Sequence, residues 1–161
     1  MKTRNAVIIG GLLAGAVTTA AMFAGRKTGT LGKTLDRDSV DWIDGLTGSR
    51  AVIGDAGTSA IELANHLGAS VAFAALYPPM RRALPSVPPA VLGALYGTAL
   101  YVVNIAGVAP LLGITEGEVR AGSRKAIERW SVHLLQTIIT ALAIERLADD
   151  LHQPSRDVAT A

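Results

Sequence analysis

The chain of 161 residues has no cysteine, only 4% aromatic residues and only 17% charged ones. Without cysteine there is no disulfide scaffold, no thiolate zinc site, no iron–sulfur cluster and no cysteine nucleophile. A formal net charge of +2, from 15 basic and 13 acidic side chains, is too small for a nucleic-acid footprint. The sequence also lacks a phosphate-binding glycine loop with its lysine, a Gly-x-Ser-x-Gly elbow and an HExxH zinc helix. The expectation is therefore a protein that is not an enzyme, with no cofactor, no metal and no nucleic-acid partner.

What the chain does have is apolar residues, at 50% of the total, which excludes a disordered tail protein. Its length fits one domain, 1–161. The apolar residues gather in four runs. Residues 6–24 hold no charge and, at about 1.5 Å per helical residue, reach roughly 28 Å, close to a bilayer core. Residues 58–77 contain one acid, Glu62, and residues 90–112 contain no charge. The fourth run, residues 130–144, is short and must extend to about 127–147 to span, with Arg129 and Arg146 snorkelling to the interface. The pattern predicts an all-α fold, an antiparallel four-helix bundle in the membrane, with a polar tail over 148–161 in which His152 is solvated. Two other readings compete: a soluble bundle with unusually apolar helices, and a signal peptide over the first run, preceded as it is by Lys2 and Arg4.

Gly11 and Gly15 in the first run, Gly93 and Gly97 in the third, and Gly68 between Ala64 and Ala72 in the second have small-xxx-small spacing. That spacing lets helices approach closely, within one chain or between copies, so a homo-oligomer through the glycine faces is one expectation. The first connection, residues 25–57, is neutral overall and reads as a solvated loop or as a short interfacial helix with Ser39 as N-cap and Gly45 or Gly48 as its end. The second, residues 78–89, holds five prolines and predicts a stiff hairpin between adjacent antiparallel helices. Thr115 and Glu118 have capping-box spacing, which predicts a last helix from about Glu116 through Leu151. Lys2, Arg4, Arg81 and Arg82 lie in short segments, and the positive-inside rule then puts both termini in the cytoplasm.

Polar groups inside a membrane are costly and point to function. They are Glu62, Asn65 and His66 in the second run, Asn104 in the third, and His133, Gln136, Thr137 and Thr140 in the fourth. Glu62, Asn65 and His66 share one helix face, as do His133, Gln136 and Thr137. Counted along antiparallel helices, all lie nearest the side of connections one and three, where Trp42 and Trp130 serve as interfacial anchors. One polar cluster in the outer leaflet is expected. It reads as interhelical glue, with Glu62 protonated or paired with His66 and with Asn104 and Gln136 hydrogen-bonded across helices, as a proton-responsive, ion or small-solute site, or as a metal or catalytic site on Glu62, His66 and His133. The glue reading makes the chain a structural or accessory membrane protein that docks a partner through its first loop.

The run from His66 through Tyr77, then Gly93 and Gly97, then residues 110–113, then His133-Leu134 before Glu145-Arg146, resembles the YagU-like family of small bacterial inner-membrane proteins. The resemblance covers roughly residues 62–150 and implies a multi-span inner-membrane protein of no established activity, with the two histidines as its matching polar positions. The Asp-rich first connection, and Leu134 and Leu135 where aromatics are expected, depart from that pattern.

Overall fold

The computed structural model describes residues 1–149 and 151; the rest of the tail, His152 included, lies outside the described residues. Among the described residues the chain is all helical, with no strand. The elements are α1 (Thr3–Lys27), α2 (Leu35–Thr47), α3 (Ser49–Ala74), α4 (Tyr77–Ala83), α5 (Pro89–Leu100), a π-helical segment (Tyr101–Val108), α6 (Ala109–Leu111), α7 (Glu118–Ala121) and α8 (Ser123–Leu147). α5, the π segment and α6 run on as one rod, Pro89–Leu111. Its exit holds Pro110, which has no N–H to donate back along the rod, and the wider π turn is where that irregularity is absorbed.

Four long rods thus carry the four apolar runs. α1 and Pro89–Leu111 are long and apolar enough to cross a membrane. In α3 the polar Glu62, Asn65 and His66, and in α8 His133, Gln136, Glu145 and Arg146, lower the mean hydropathy. The rods pack in the order α3, α1, α8, α5. α3 and α5, consecutive in sequence, are not extensively packed neighbours, contrary to the expected hairpin; they meet where the Tyr96 hydroxyl donates to the Phe73 carbonyl at 2.7 Å. The reason lies in the connection, where Pro78 and Pro79 sit in the first turn of a helix, a position that tolerates proline, and α4 then parts the two ends.

Glycine explains why α1 and α8 lie in the middle. A Cβ on Gly11 would sit 2.8 Å from the Cα of Val71, one on Gly15 2.8 Å from Ser70 Oγ, and one on Gly93 2.9 Å from the Cα of Ile138. Gly97 meets His133 and Thr137 in the same way. These four glycine faces are occupied by helices of the same chain. Gly68 has open space where its Cβ would be and packs against no other helix of the chain.

Several helix ends differ from expectation. α2 starts before Ser39 because Thr34 caps it, its hydroxyl accepting from the Arg37 N–H at 3.4 Å, whereas its end at Gly48, in the left-handed region (φ 65°), is one of the two expected. α3 begins ahead of residue 58, is broken at Gly54 (φ 68°), and stops at Ala74, so Tyr77 belongs to α4. The last helix does not run from Glu116 to Leu151. Gly122 (φ 84°) separates α7 from α8, which ends at Leu147, and Thr115 caps neither. The start of the expected polar tail turns inward, since Ala148 and Leu151 join the core with Ala6, Ala74, Tyr77, Leu92, Ala141 and Ile144.

Candidate functional site

Because α3 and the α5 rod are parted, a cavity of about 300 Å³ opens between them, with α1 and α8 behind it and residues 31–36 above it. Asn65 and His66 of α3, Asn104 of the π segment, and His133 and Gln136 of α8 all line it. Glu62 does not. It turns to α2, where Arg37 Nη1 donates to its carboxylate at 3.4 Å, so it is neither paired with His66 nor part of the cavity wall. The acid beside His66 is Asp36, brought in by the first turn of α2.

His66 bridges three elements. Its Nδ1 is 2.9 Å from Asp36 Oδ2 and its Nε2 is 3.2 Å from the Gly15 carbonyl of α1. Both partners only accept, so both contacts are made as hydrogen bonds when the ring is an imidazolium. His133 differs. Its Nδ1 donates to the Arg129 carbonyl at 2.8 Å, which leaves Nε2 as an acceptor in the neutral ring, and the ring stands edge-on to Tyr101 at 6.3 Å.

Deeper in, the hydroxyls of Ser70, Thr137 and Thr140 donate to carbonyls one turn back, at 2.7, 2.8 and 2.8 Å. Gln136 and Thr18 have no such outlet. Both polar atoms of the Gln136 carboxamide and the Thr18 hydroxyl are buried without a partner, on side chains 9% and 1% exposed that line the cavity. An unpaired buried polar group costs about 1–3 kcal/mol, so these atoms mark a place where hydrogen bonds are wanted.

The roof is ionic. Lys33 lies 2.8 Å from Asp38 and 2.9 Å from Asp41; Arg50 pairs with Asp41 and Asp44. Hydrogen bonds from Lys33 and Arg50 hold the Asp41 carboxyl down at about 2, and those same bonds to Asp38 and Asp41 push the Lys33 ammonium up. Arg129 does not snorkel outward; it is buried, 2.7 Å from Glu118 and 3.3 Å from Asp38. Glu118 also accepts from the Tyr101 hydroxyl at 2.9 Å. Asp36, Asp38, Glu118 and Arg129 are the site residues that sequence reasoning passed over. Their one signal was the dense mixing of acids and bases in connections whose net charge looked neutral.

Trp42 is half-buried on α2, and Trp130 is exposed on α8, its Nε1–H donating to Thr98 at 3.1 Å. No set of three His, Asp or Glu is placed to hold a metal among the described residues; Glu62, His66 and His133 fail as a set because Glu62 is turned to Arg37. At the far end of the bundle, Arg81 and Glu145 form a buried pair at 2.8 Å, and the Tyr77 hydroxyl donates to Glu145 at 2.8 Å. No family model matches the chain, and neither a curated protein nor a solved structure matches it.

Proposed function

We propose that the chain is a multi-pass protein of the bacterial inner membrane, a four-helix bundle with both termini in the cytoplasm, whose outer-leaflet cavity binds a small solute under a proton-responsive lid. It is a binding protein, not an enzyme. The observation that carries this reading is the inverted distribution of polarity. Ile8, Ile9, Leu12, Leu13 and Phe23 of α1 and Val91, Leu95, Val102, Val103 and Leu111 of the α5 rod are exposed, while Thr18, Ser70, Gln136, Thr137 and Thr140 are buried. Less than half of either apolar stretch is covered by the rest of the chain. A soluble bundle arranged so would expose a large apolar surface to water; in lipid the same surface is solvated and the polar groups face inward.

The lid is α2. His66, held between Asp36 and the Gly15 carbonyl, makes both contacts as an imidazolium; deprotonation removes the charge that faces Asp36 of α2 and leaves one N–H for two acceptors, which loosens α2. Two measurements test the reading. Alkaline carbonate should leave the protein in the membrane fraction, and a cysteine at Lys33 should label from outside and one at the exposed Arg82 from inside; the opposite labelling overturns the orientation, and release by carbonate overturns the membrane reading. Amide exchange in α2, corrected for intrinsic rates, should accelerate as pH rises through the imidazole range, and an unchanged pH profile in His66→Gln overturns the lid.

A further inference from the structure

The cavity's wall carries a more specific message than that a solute binds. Among the described residues every charged side chain at its rim already has a partner of opposite sign: His66 with Asp36, Arg129 with Asp38 and Glu118, Lys33 with Asp38, Lys125 with Glu116, Glu128 with Arg124. The wall therefore offers no uncommitted charge to balance an ion, and burying an unpaired ion there is costly. Uncommitted and nine-tenths buried are Gln136, with a bare donor at Nε2 and a bare acceptor at Oε1, and the bare Thr18 hydroxyl on the same wall; the neutral His133 Nε2 adds an acceptor and Asn65 and Asn104 add uncharged carboxamides. A ligand that satisfies both ends of the carboxamide must accept one hydrogen bond and donate another. A hydroxyl does both; a carbonyl or an ether does only the first.

The remaining wall is apolar, with Met22, Phe73, Leu100 and Ile105 facing the same space. The gap has an outlet to the side. α3 and the α5 rod touch at Tyr96 and Phe73, and beyond that contact Asn65 and Val108, on its two edges, line the cavity and are exposed as well. In the bilayer this slot faces the acyl chains. At about 300 Å³ the cavity is at the small end of ligand pockets, enough for a compact head and the first part of a chain.

We propose that this site takes a neutral, hydroxylated amphiphile from the bilayer, its hydroxyl head hydrogen-bonded by Gln136 and Thr18 and its apolar chain leaving between α3 and the π segment. The inference rests on the membrane reading above. It is tested on the full chain in nanodiscs with 1-decanoylglycerol as probe, against decanoate, decyltrimethylammonium and free glycerol. Saturable binding of 1-decanoylglycerol, with dissociation constants at least about tenfold weaker for the two ions and for glycerol, is the expected result. Gln136→Leu and Thr18→Val should each weaken it by about tenfold, as loss of one buried hydrogen bond does. Thr140→Val, whose hydroxyl is spent on the Gln136 carbonyl away from the cavity, should leave it within about twofold. Equal binding of an ion overturns the neutral head, equal binding of glycerol overturns the lipid-side chain, and unchanged binding in both Gln136→Leu and Thr18→Val overturns the site. If carbonate leaves the chain in the membrane but no probe binds, this inference fails while the membrane reading stands; release by carbonate removes both.

Discussion

Arg81 and Glu145 meet near one end of the bundle, Asp36 and His66 near the other, and the two pairs live in different surroundings. Around Arg81 and Glu145 the helices are closed on one another: Ala6, Ala74, Tyr77, Leu92, Ala141 and Ile144 are fully buried, and the chain's own N-terminus reaches the Leu147 carbonyl at 2.9 Å. Around Asp36 and His66 the rods are parted, a largely apolar wall carries a few polar groups, and α2 buries a single residue, Val40. One end is held by close packing around its buried pair, the other by ion pairs that border a cavity and respond to pH and salt. A bundle built this way keeps its fold at one end and its adjustable volume at the other.

The sharpest way to break that contrast is to remove one charge at the closed end. Glu145→Ala leaves Arg81, only 10% exposed, without its counter-ion and the Tyr77 hydroxyl without its acceptor. Breaking a buried pair costs about 3–5 kcal/mol, and denaturant unfolding in detergent should show a loss of that size. At the open end Asp36→Asn weakens a pair that borders a cavity, so global stability should fall by about 1–2 kcal/mol while α2 exchange speeds up. Equal global losses at the two ends would erase the distinction.

A second comparison sets glycine against glycine. Gly93→Ala drives a methyl to 2.9 Å from the backbone of Ile138 and Thr137, where nothing flexible can yield, and should cost about 1–3 kcal/mol. Gly68→Ala points its methyl into open space and should change stability by no more than about 0.5 kcal/mol in the same measurement.

These two glycines also show what a sequence displays and what it hides. Spacing identified Gly93 and Gly68 alike, because small-xxx-small is a property of one helix, whereas close approach is a property of two. The four apolar runs were legible as helices because length and hydropathy are local. So was the shared side of His66, Asn104 and His133, since rise per residue places depth along antiparallel rods. The partners were not legible. Glu62 stands one turn from His66 in sequence and invited that pairing, yet the break at Gly54 and the early start of α2 at Thr34 bring Arg37 to Glu62 and Asp36 to His66. Helix order was hidden for a similar reason: a proline-rich connection reads as a tight hairpin, but with Pro78 and Pro79 at a helix start it becomes a spacer, and the cavity exists because of it.

The smallest expected effect concerns the ionic roof itself. Asp41 accepts from Lys33 and Arg50, and these bonds lower its carboxyl from 3.8 to about 2. A carboxyl lowered in the folded state stabilises that state fully above its unfolded value and loses the contribution as pH falls through the folded one. Its share of the α2 docking energy should therefore be constant above about pH 4, decline as pH falls through about 2, and be gone by about pH 1. Side chains that are about a third exposed pair weakly and are screened by salt, so the effect is confined to α2 and shrinks as ionic strength rises. Amide exchange in α2 of the wild type compared with Asp41→Asn isolates it from the neighbouring carboxyls. The difference between the two proteins should be full by pH 4, reduced at pH 2, where the carboxyl is still half ionised, and gone by about pH 1; a difference that persists undiminished at about pH 1 would mean that Asp41 holds α2 by shape rather than by charge.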